Sequence, residues 1–224
     1  MRHDEDFFTL ITAAVAQWHD FDVLNKNLPA GLTLTDHTDE YSTLIVSGPK
    51  SRALFEAMGT EADLTAGWLS TQPAKVAGIN CALARVSFAG ELGWEIHAAL
   101  ADIPALYDAV IAAGATPFGM YALNAMRIEK GYRAYGPELE GDFTVVEAGM
   151  SPKKIKDADF IGKEAHLRHR ESAPAATMCL LTVDDHTSST GEKRYMLGGE
   201  PILTKDGQPI TDSHGRRSYV TSAG

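Results

Sequence analysis

The sequence contains few cysteines, few aromatic residues and no excess of basic residues. Only two of its 224 residues are cysteine, and aromatic residues make up 8%. Lys and Arg number 20 against 30 Asp and Glu, which gives a formal net charge of −10 at pH 7. This balance argues against a general nucleic-acid binder, because neutralising phosphates requires clustered Lys and Arg. A hydrophobic content of 44% is nevertheless sufficient for a sizeable core.

The cysteine spacing and the lack of long apolar stretches exclude further classes. Cys81 and Cys179 form neither a C-x-x-C pair nor a zinc-binding cluster, and both lie in apolar runs, so we expect buried free thiols. No uncharged apolar stretch approaches the roughly 18 residues of a membrane span. The first residues are charged and lack the apolar region of a secretory signal. We therefore expect a cytoplasmic or organellar-matrix protein without a membrane partner.

Strand-like and helix-like patterns alternate over roughly the first 150 residues. β-Prone runs occupy residues 7–12, 42–47 and 76–88. Apolar residues at helical spacing predict helices over residues 15–24, 49–58, 103–113 and 118–130. The mixture predicts an α+β or layered α/β arrangement.

The composition changes after Ser151-Pro152. Six Lys and Arg residues follow within residues 153–170, and then turn signals alternate with short β-prone segments. We expect a strand over residues 175–183 and an antiparallel β module with its boundary near residues 171–176.

Residues 85–97 form the densest group of chemically informative side chains. Two glycines, two carboxylates and two aromatic residues lie in the segment R-V-S-F-A-G-E-L-G-W-E-I-H. Along a strand, Glu91, Gly93 and Glu95 would share one face. A carboxylate beside aromatic residues suits a flat heterocycle, because it accepts two parallel hydrogen bonds from an amino-pyrimidine edge. The alternative is a β-hairpin whose glutamates are solvated or paired with Arg85.

A second group lies in and after the helix predicted over residues 118–130. Arg127 lies between Met126 and Ile128, and a buried cation requires an anionic partner. That partner is either a carboxylate of the protein core or a ligand carboxylate held by the guanidinium group. Tyr132 and Tyr135 follow the helix and would either line the mouth of a cleft or simply pack.

These two groups resemble one family. The segment R-V-S-F-A-G-E-L-G-W-E resembles the R-x-x-Y-x-G-E-x-G-aromatic-E motif of the glycine-cleavage T-protein (aminomethyltransferase) family. R-I-E-K-G-Y-R-A-Y-G-P-E-L and T-V-V-E-A-G-M, at residues 127–139 and 144–150, resemble a second motif of that family. Further matching pieces occur in the family's order at residues 48–54, 159–165 and 220–224. The resemblance therefore covers nearly the whole chain.

Within the family, the sequence looks most like the C-terminal folate-binding half of dimethylglycine and sarcosine dehydrogenases. The E-K-G-Y-R form and the segments at residues 19–22 and 27–29 favour that branch. The K-G-C-Y-x-G-Q-E signature of the relative linked to iron–sulfur assembly is absent, since residues 130–133 read K-G-Y-R. The chain looks truncated at both ends when set against the family.

The resemblance implies a fold and a set of cofactor-binding residues. The expected fold is α+β, a partial T-protein folate-binding domain over residues 1–172 with a partial antiparallel β-barrel-like module over residues 173–224. Glu95 matches the glutamate that holds the pterin of tetrahydrofolate. Cofactor-binding roles are likewise implied for the residues matching other family positions: Phe88, in place of a tyrosine, Thr12, in place of an asparagine, Arg127 and Tyr135. No metal site is implied.

The implied chemistry is one-carbon transfer, in which an aminomethyl or methylene unit passes to tetrahydrofolate. The family aspartate that assists this reaction would precede Met1, so no catalytic residue is predicted within the chain. The expected partners are folate, a small donor derived from a methylated amine, and an upstream oxidase or dehydrogenase domain or subunit. Two alternatives stay open: a non-catalytic folate-binding or structural module, and a folate-dependent demethylase acting on an S- or O-methyl substrate.

Overall fold

A computed structural model describes residues 1–139 and 141–224 of the chain. These residues form two compact units, Met1–Phe118 and Gly119–Gly224, which are described separately. The expected division into residues 1–172 and 173–224 stays a prediction. None of the helices in the described ranges has the length and apolar composition required to cross a membrane.

The first unit is built on a four-stranded antiparallel sheet. Its strands are β1 (Tyr41–Ser47), β2 (Thr71–Val76), β3 (Ile79–Ala84) and β4 (Gly93–Ala99), arranged in the order β1-β4-β3-β2. A two-residue turn, Ala77-Gly78, joins β2 to β3, and both residues have positive φ, at 49° and 81°. Positive φ at both positions gives a turn whose twist matches that of the flanking strands.

Three α-helices and two short 3-10 helices accompany this sheet. They are a 3-10 helix (Ala14–Ala16), α1 (Gln17–Lys26), α2 (Ser51–Ala57), a second 3-10 helix (Leu100–Asp102) and α3 (Ile103–Ala112). The predicted helices are thus present, each with slightly shifted ends. Together with the antiparallel sheet they confirm the mixed helix-and-sheet class.

The core of the first unit lies between one sheet face and the helices α2 and α3. The alternate β4 residues Trp94, Ile96 and Ala98 are fully buried in it. Phe55 of α2 meets Trp94 edge to face, with ring centroids 5.2 Å apart. Leu106, from α3, is also fully buried in the same cluster. Burial of these large side chains supplies the main driving force for folding this unit.

Among its described residues, the second unit contains two helices joined and followed by irregular chain. The helices are α4 (Met120–Glu129) and α5 (Lys163–Glu171). Beyond α5 the antiparallel pairing consists of isolated bridges: Thr187 with Lys193, Pro201 with Tyr219, Leu203 with Pro209 and Thr211 with Arg217. These bridges agree with the expected antiparallel pairing but do not form continuous strands.

Three local predictions are corrected. The strand predicted over residues 175–183 is wrong, since that segment forms no strand and Leu180 and Leu181 are mostly exposed. The run at residues 7–12 forms only an isolated bridge between Arg2 and Phe8. Cys179 is exposed rather than buried, whereas Cys81 is half-buried. An apolar run becomes a strand only where a neighbouring strand pairs with its backbone, and sequence alone does not reveal that neighbour.

Gly93 allows β1 and β4 to approach closely. It lies opposite Ser47 in the strand register, and an added Cβ would lie 2.9 Å from the Val46 carbonyl oxygen and 3.0 Å from Ser47 Oγ. We expect Gly93→Ala to lower the free energy of unfolding by about 1–3 kcal/mol, because the neighbouring backbone must shift. Urea unfolding measures this change.

Gly67→Ala is the matched control, since an added Cβ at Gly67 meets no atom within 4 Å. Equal stability of the two variants would show that β1 and β4 are not packed this closely.

Candidate functional site

The face of the sheet opposite the core carries the polar residues of β4. Because side chains alternate along a strand, Glu95 and His97 point away from the core occupied by Trp94 and Ile96. In the strand register, Ile45 of β1 and Ala84 of β3 flank Glu95. The same alternation that builds the core therefore places a carboxylate and an imidazole side by side on the other face.

A line of hydrogen bonds crosses this face from β1 to β4. Thr43 Oγ1 lies 2.8 Å from His97 Nδ1, and His97 Nε2 lies 3.1 Å from Glu95 Oε2. A neutral imidazole satisfies both contacts if Nε2–H donates to the carboxylate and Nδ1 accepts from the threonine hydroxyl. The Glu95 side chain is 23% exposed and that of His97 is 11% exposed. The carboxylate is therefore held in place yet accessible to a ligand.

Glu95 retains acceptor capacity for such a ligand. Among the described residues, no hydrogen bond reaches Glu95 Oε1. A carboxylate accepts about four hydrogen bonds, so the single contact at Oε2 leaves both oxygens able to accept more. This carboxylate suits a planar group that presents two adjacent N–H donors.

The segment before β4 is organised by Arg85. Its Nη1 donates to the Gly93 carbonyl at 3.0 Å, and its guanidinium carbon lies 4.8 Å from the centre of the Trp94 ring and 5.9 Å from that of Trp68. Glu91 lies outside β4 and is exposed, so it does not share the strand face expected for it. The hairpin alternative allowed the glutamates to be solvated or paired with Arg85. The Glu95 carboxylate contacts His97 instead of Arg85, so the structure does not show that pairing.

Two other predicted residues lie in the same unit. Phe88 is half-buried in the irregular connection between β3 and β4, seven residues before Glu95. Thr12 is exposed and lies just before the first 3-10 helix, Ala14–Ala16. Their predicted contacts with a cofactor stay predictions.

In the second unit, Arg127 lies in a buried polar network. The residue is 3% exposed, and its Nη1 donates to Glu138 Oε2 at 3.1 Å and to the Tyr132 carbonyl at 3.1 Å. Its Nε and Nη2 both donate to Asn124 Oδ1, at 2.9 Å and 2.7 Å. The sequence left open a core carboxylate or a ligand as the partner of this cation, and Glu138 is the carboxylate that the cation binds. A role of Arg127 in folate binding stays a prediction.

Glu138 is buried and joins three parts of the second unit. Besides Arg127, it accepts hydrogen bonds from the Ala134 N–H and from the Ser222 hydroxyl. Burial alone would raise the pKa of Glu138. The hydrogen bonds from Ser222, Ala134 and Thr221 and the charge of Arg127 outweigh that effect, so the pKa lies below its ordinary value.

The final T-S-A-G segment, residues 221–224, contacts α4 through the same network. Asn124 Nδ2 donates to the Ala223 carbonyl at 2.7 Å.

The remaining predicted residue of this unit, Tyr135, is 48% exposed and follows the Gly131 turn that ends α4. Its position is compatible with either sequence alternative, lining a cleft or packing against the surface.

A separate cavity of about 560 Å³ also lies in the second unit. Its lining includes Phe143, Glu147, His169, Pro174, His214 and Arg216. Arg216 is already engaged there, since Nη2 donates to Glu147 Oε1 at 2.8 Å and Nε donates to Asp212. The cavity contains none of the predicted cofactor-binding residues.

Comparison with known proteins identifies the family. Residues 1–153 match the family model described as the GCVT N-terminal domain. The chain belongs to this family. It is similar to mitochondrial dimethylglycine dehydrogenase from Homo sapiens, with 33% identity over 207 residues, 87% of this chain and 24% of that protein. It is also similar to an aminomethyltransferase from Listeria welshimeri, with 32% identity over 177 residues, 76% of this chain and 48% of that protein.

These relatives confirm the resemblance seen in the sequence motifs. The chain spans about a quarter of the dehydrogenase and about half of the aminomethyltransferase.

The structure shows contacts that the sequence motifs did not predict. His97 contacts Glu95 directly, and Thr43 is linked to Glu95 through His97. Glu138 forms the ion pair with Arg127. The period-two pattern of β4 was the available signal for His97, because it puts residues 95 and 97 on one face. Nothing in the sequence pointed to Thr43, which lies 54 positions before His97.

Removing the buried cation tests the network of the second unit. Arg127→Met keeps the length of the side chain but leaves Glu138 buried without its counter-charge, so we expect a loss of about 3–5 kcal/mol in unfolding free energy. Chemical denaturation monitored by circular dichroism gives the value. Arg168→Met is the control, because that arginine is 69% exposed at its side chain. A similarly small effect of both substitutions would contradict the buried pair.

The lowered pKa of Glu138 predicts an acid-sensitive contribution to stability. The ionised carboxylate stabilises the folded state above the ordinary glutamate value of 4.5, and this contribution is lost as pH falls through the lower folded pKa. We expect Glu138→Gln to lose stability at neutral pH and to show a shallower decline in stability below about pH 4.5 than wild type. Urea titrations at a series of pH values measure both.

Glu164→Gln, which removes a 92% exposed carboxylate from the same unit, is the control. An unchanged pH slope in Glu138→Gln would refute the assignment.

Proposed function

We propose that this chain takes part in tetrahydrofolate-dependent transfer of an aminomethyl or methylene unit. The observation that carries the proposal is Glu95, a partly exposed carboxylate on the sheet face opposite the core, held by His97 and without a hydrogen bond at Oε1 among the described residues. Membership of the GCVT N-terminal domain family and similarity to an aminomethyltransferase support it. The proposal extends to the folate branch represented by dimethylglycine dehydrogenase.

The residues present fit the pterin of tetrahydrofolate. The amino-pyrimidine edge of a pterin presents adjacent N–H donors, and Glu95 offers two carboxylate oxygens with unused acceptor capacity. A buried glutamate saturated by protein donors, such as Glu138, would not fit in this way. Tetrahydrofolate supplies the nitrogen nucleophile that accepts the one-carbon unit.

In this proposal each predicted residue has a binding or orienting role. Glu95 accepts the hydrogen bonds of the pterin edge, and Phe88 provides a face on which the ring stacks. Thr12, Tyr135 and Arg127 are proposed as further cofactor contacts. Fixing the orientation of the reacting groups contributes on the order of several kcal/mol to such a reaction.

The overall charge requires a local cation for the negatively charged folate tail. The chain carries a net charge of −10, so its general field repels an anion. Arg127 uses four of its five N–H groups on Asn124, Tyr132 and Glu138, and among the described residues one Nη2 hydrogen has no acceptor. We propose that this hydrogen is available to a ligand oxygen, with Glu138 holding the guanidinium in position.

The proposed partners follow from the same family. We propose that a small donor derived from a methylated amine delivers the one-carbon unit. We also propose an oxidase or dehydrogenase domain or subunit as the source of that donor, by analogy with dimethylglycine dehydrogenase.

The isolated bridges between residues 187 and 219 support a partial β-barrel-like module in the C-terminal segment.

Binding of tetrahydrofolate tests the role of Glu95. We expect Glu95→Gln to weaken binding at least tenfold, because an amide group replaces one acceptor oxygen with a donor that opposes the pterin N–H groups. Quenching of the intrinsic fluorescence of the three tryptophans provides the measurement.

Glu91→Gln is the matched control, since Glu91 is an exposed carboxylate four residues earlier, outside β4. Absence of binding by the wild-type chain, or equal affinity of the Glu91 and Glu95 variants, would refute the proposal. Binding without faster formation of methylene-tetrahydrofolate than in the spontaneous reaction with formaldehyde would instead favour a non-catalytic folate-binding module. A methyl-folate product from an S- or O-methyl donor would identify a demethylase.

A further inference from the structure

The hydrogen-bond line across the open sheet face gives His97 a specific relation to Glu95. His97 contacts Glu95 Oε2 through Nε2 and Thr43 Oγ1 through Nδ1, so both ring nitrogens are engaged. Its neighbours in the register, Thr43 of β1 and Ala82 of β3, are small and leave the ring on the face away from the core. The imidazole is thus held from one side by Thr43 and presents its other nitrogen to the carboxylate.

We propose that His97, fixed by Thr43, is a positioning residue that orients the Glu95 carboxylate for recognition of the pterin edge. This inference rests on the proposed folate-binding function and deepens it by adding residues to the same site. His97 acts through Glu95 and need not touch the ligand.

The chemistry of a neutral imidazole suits this role. The Thr43 hydroxyl donates to Nδ1, which leaves the proton on Nε2 and directs it at Glu95. One neutral donor restricts the rotation of the carboxylate without cancelling its negative charge. A Lys or Arg in the same place would form an ion pair and compete with the N–H donors of the ligand. The carboxylate is therefore oriented by His97, and no hydrogen bond from the described residues reaches Oε1.

The residues that flank Glu95 determine how strongly the orientation of its carboxylate depends on His97. Ile45 and Ala84 flank Glu95 in the neighbouring strands, and neither offers a side-chain donor. His97 is accordingly the side-chain donor that fixes the position of this carboxylate among the described residues. A glutamate without it would have to be ordered by the ligand, which lowers affinity.

The test compares the affinity for tetrahydrofolate of conservative and disruptive variants at both positions. We expect His97→Leu to weaken binding about tenfold, as the loss of a hydrogen bond to a charged group predicts. His97→Gln, which restores an N–H donor, should recover most of the lost affinity. Thr43→Val should bind more weakly than Thr43→Ser, because only serine retains the hydroxyl. Equal affinity of His97→Leu and wild type would overturn the proposal.

A double-mutant cycle separates positioning from a direct or purely structural role. If His97 acts through Glu95, His97→Leu should cause little further loss in a Glu95→Gln background. A tenfold loss in both backgrounds would overturn the positioning role. Thermal unfolding of each variant checks that the chain is folded, and the Thr43 pair gives a second comparison if His97→Leu does not fold.

A measurement made without folate tests the role of His97 separately from the proposed folate-binding function. Long-range ¹H–¹⁵N spectra report which imidazole nitrogen carries the proton, and the His97 signals are identified by their loss in His97→Gln. We expect the Nε2–H form in wild type and a loss of this preference in Thr43→Val. The other tautomer in wild type would overturn the proposal. If this tautomer is present but tetrahydrofolate does not bind, the proposed function fails and the positioning role fails with it.

Discussion

The register of β4 against its two neighbours is the constraint on which the rest of the first unit depends. One set of alternate β4 residues, Trp94, Ile96 and Ala98, fills the core, and the other set carries Glu95 and His97 on the opposite face. A slip by one residue would move the apolar set out of the core and bury the polar set, so the large hydrophobic contribution of the core also fixes the candidate site. The positions of Glu95 and His97 are therefore fixed by the burial of Trp94, Ile96 and Ala98, to which the two polar side chains do not contribute.

The second unit depends on a different interaction, the buried pair of Arg127 and Glu138. Burying two charges costs free energy, and the pair is tolerated because nearly every donor and acceptor in it is satisfied. Ser222 and Asn124 bring the T-S-A-G segment into the same network. Motif residues far apart in the sequence are thus joined by one connected set of hydrogen bonds.

Much of the fold follows from local patterns. The helices α2, α3 and α4 begin and end close to where apolar spacing, Pro and Gly place them, and β1 coincides with the β-prone run at residues 42–47. The pattern failed at residues 7–12 and 175–183, which are apolar but form no continuous strand. Strand formation requires a partner strand, and this non-local requirement is invisible in a single window of sequence.

The sequence by itself determined the family. The motif around Glu95 and the segment beginning at Arg127 identified the relatives, because both are long and specific in combination. Only the tertiary structure decided the partners of these residues: His97 and Thr43 beside Glu95, and Glu138 with Asn124 around Arg127. Some of these contacts join positions far apart in the chain and others are local. The contacts of Glu95 depend on strand register, and those of Arg127 depend on burial within the second unit.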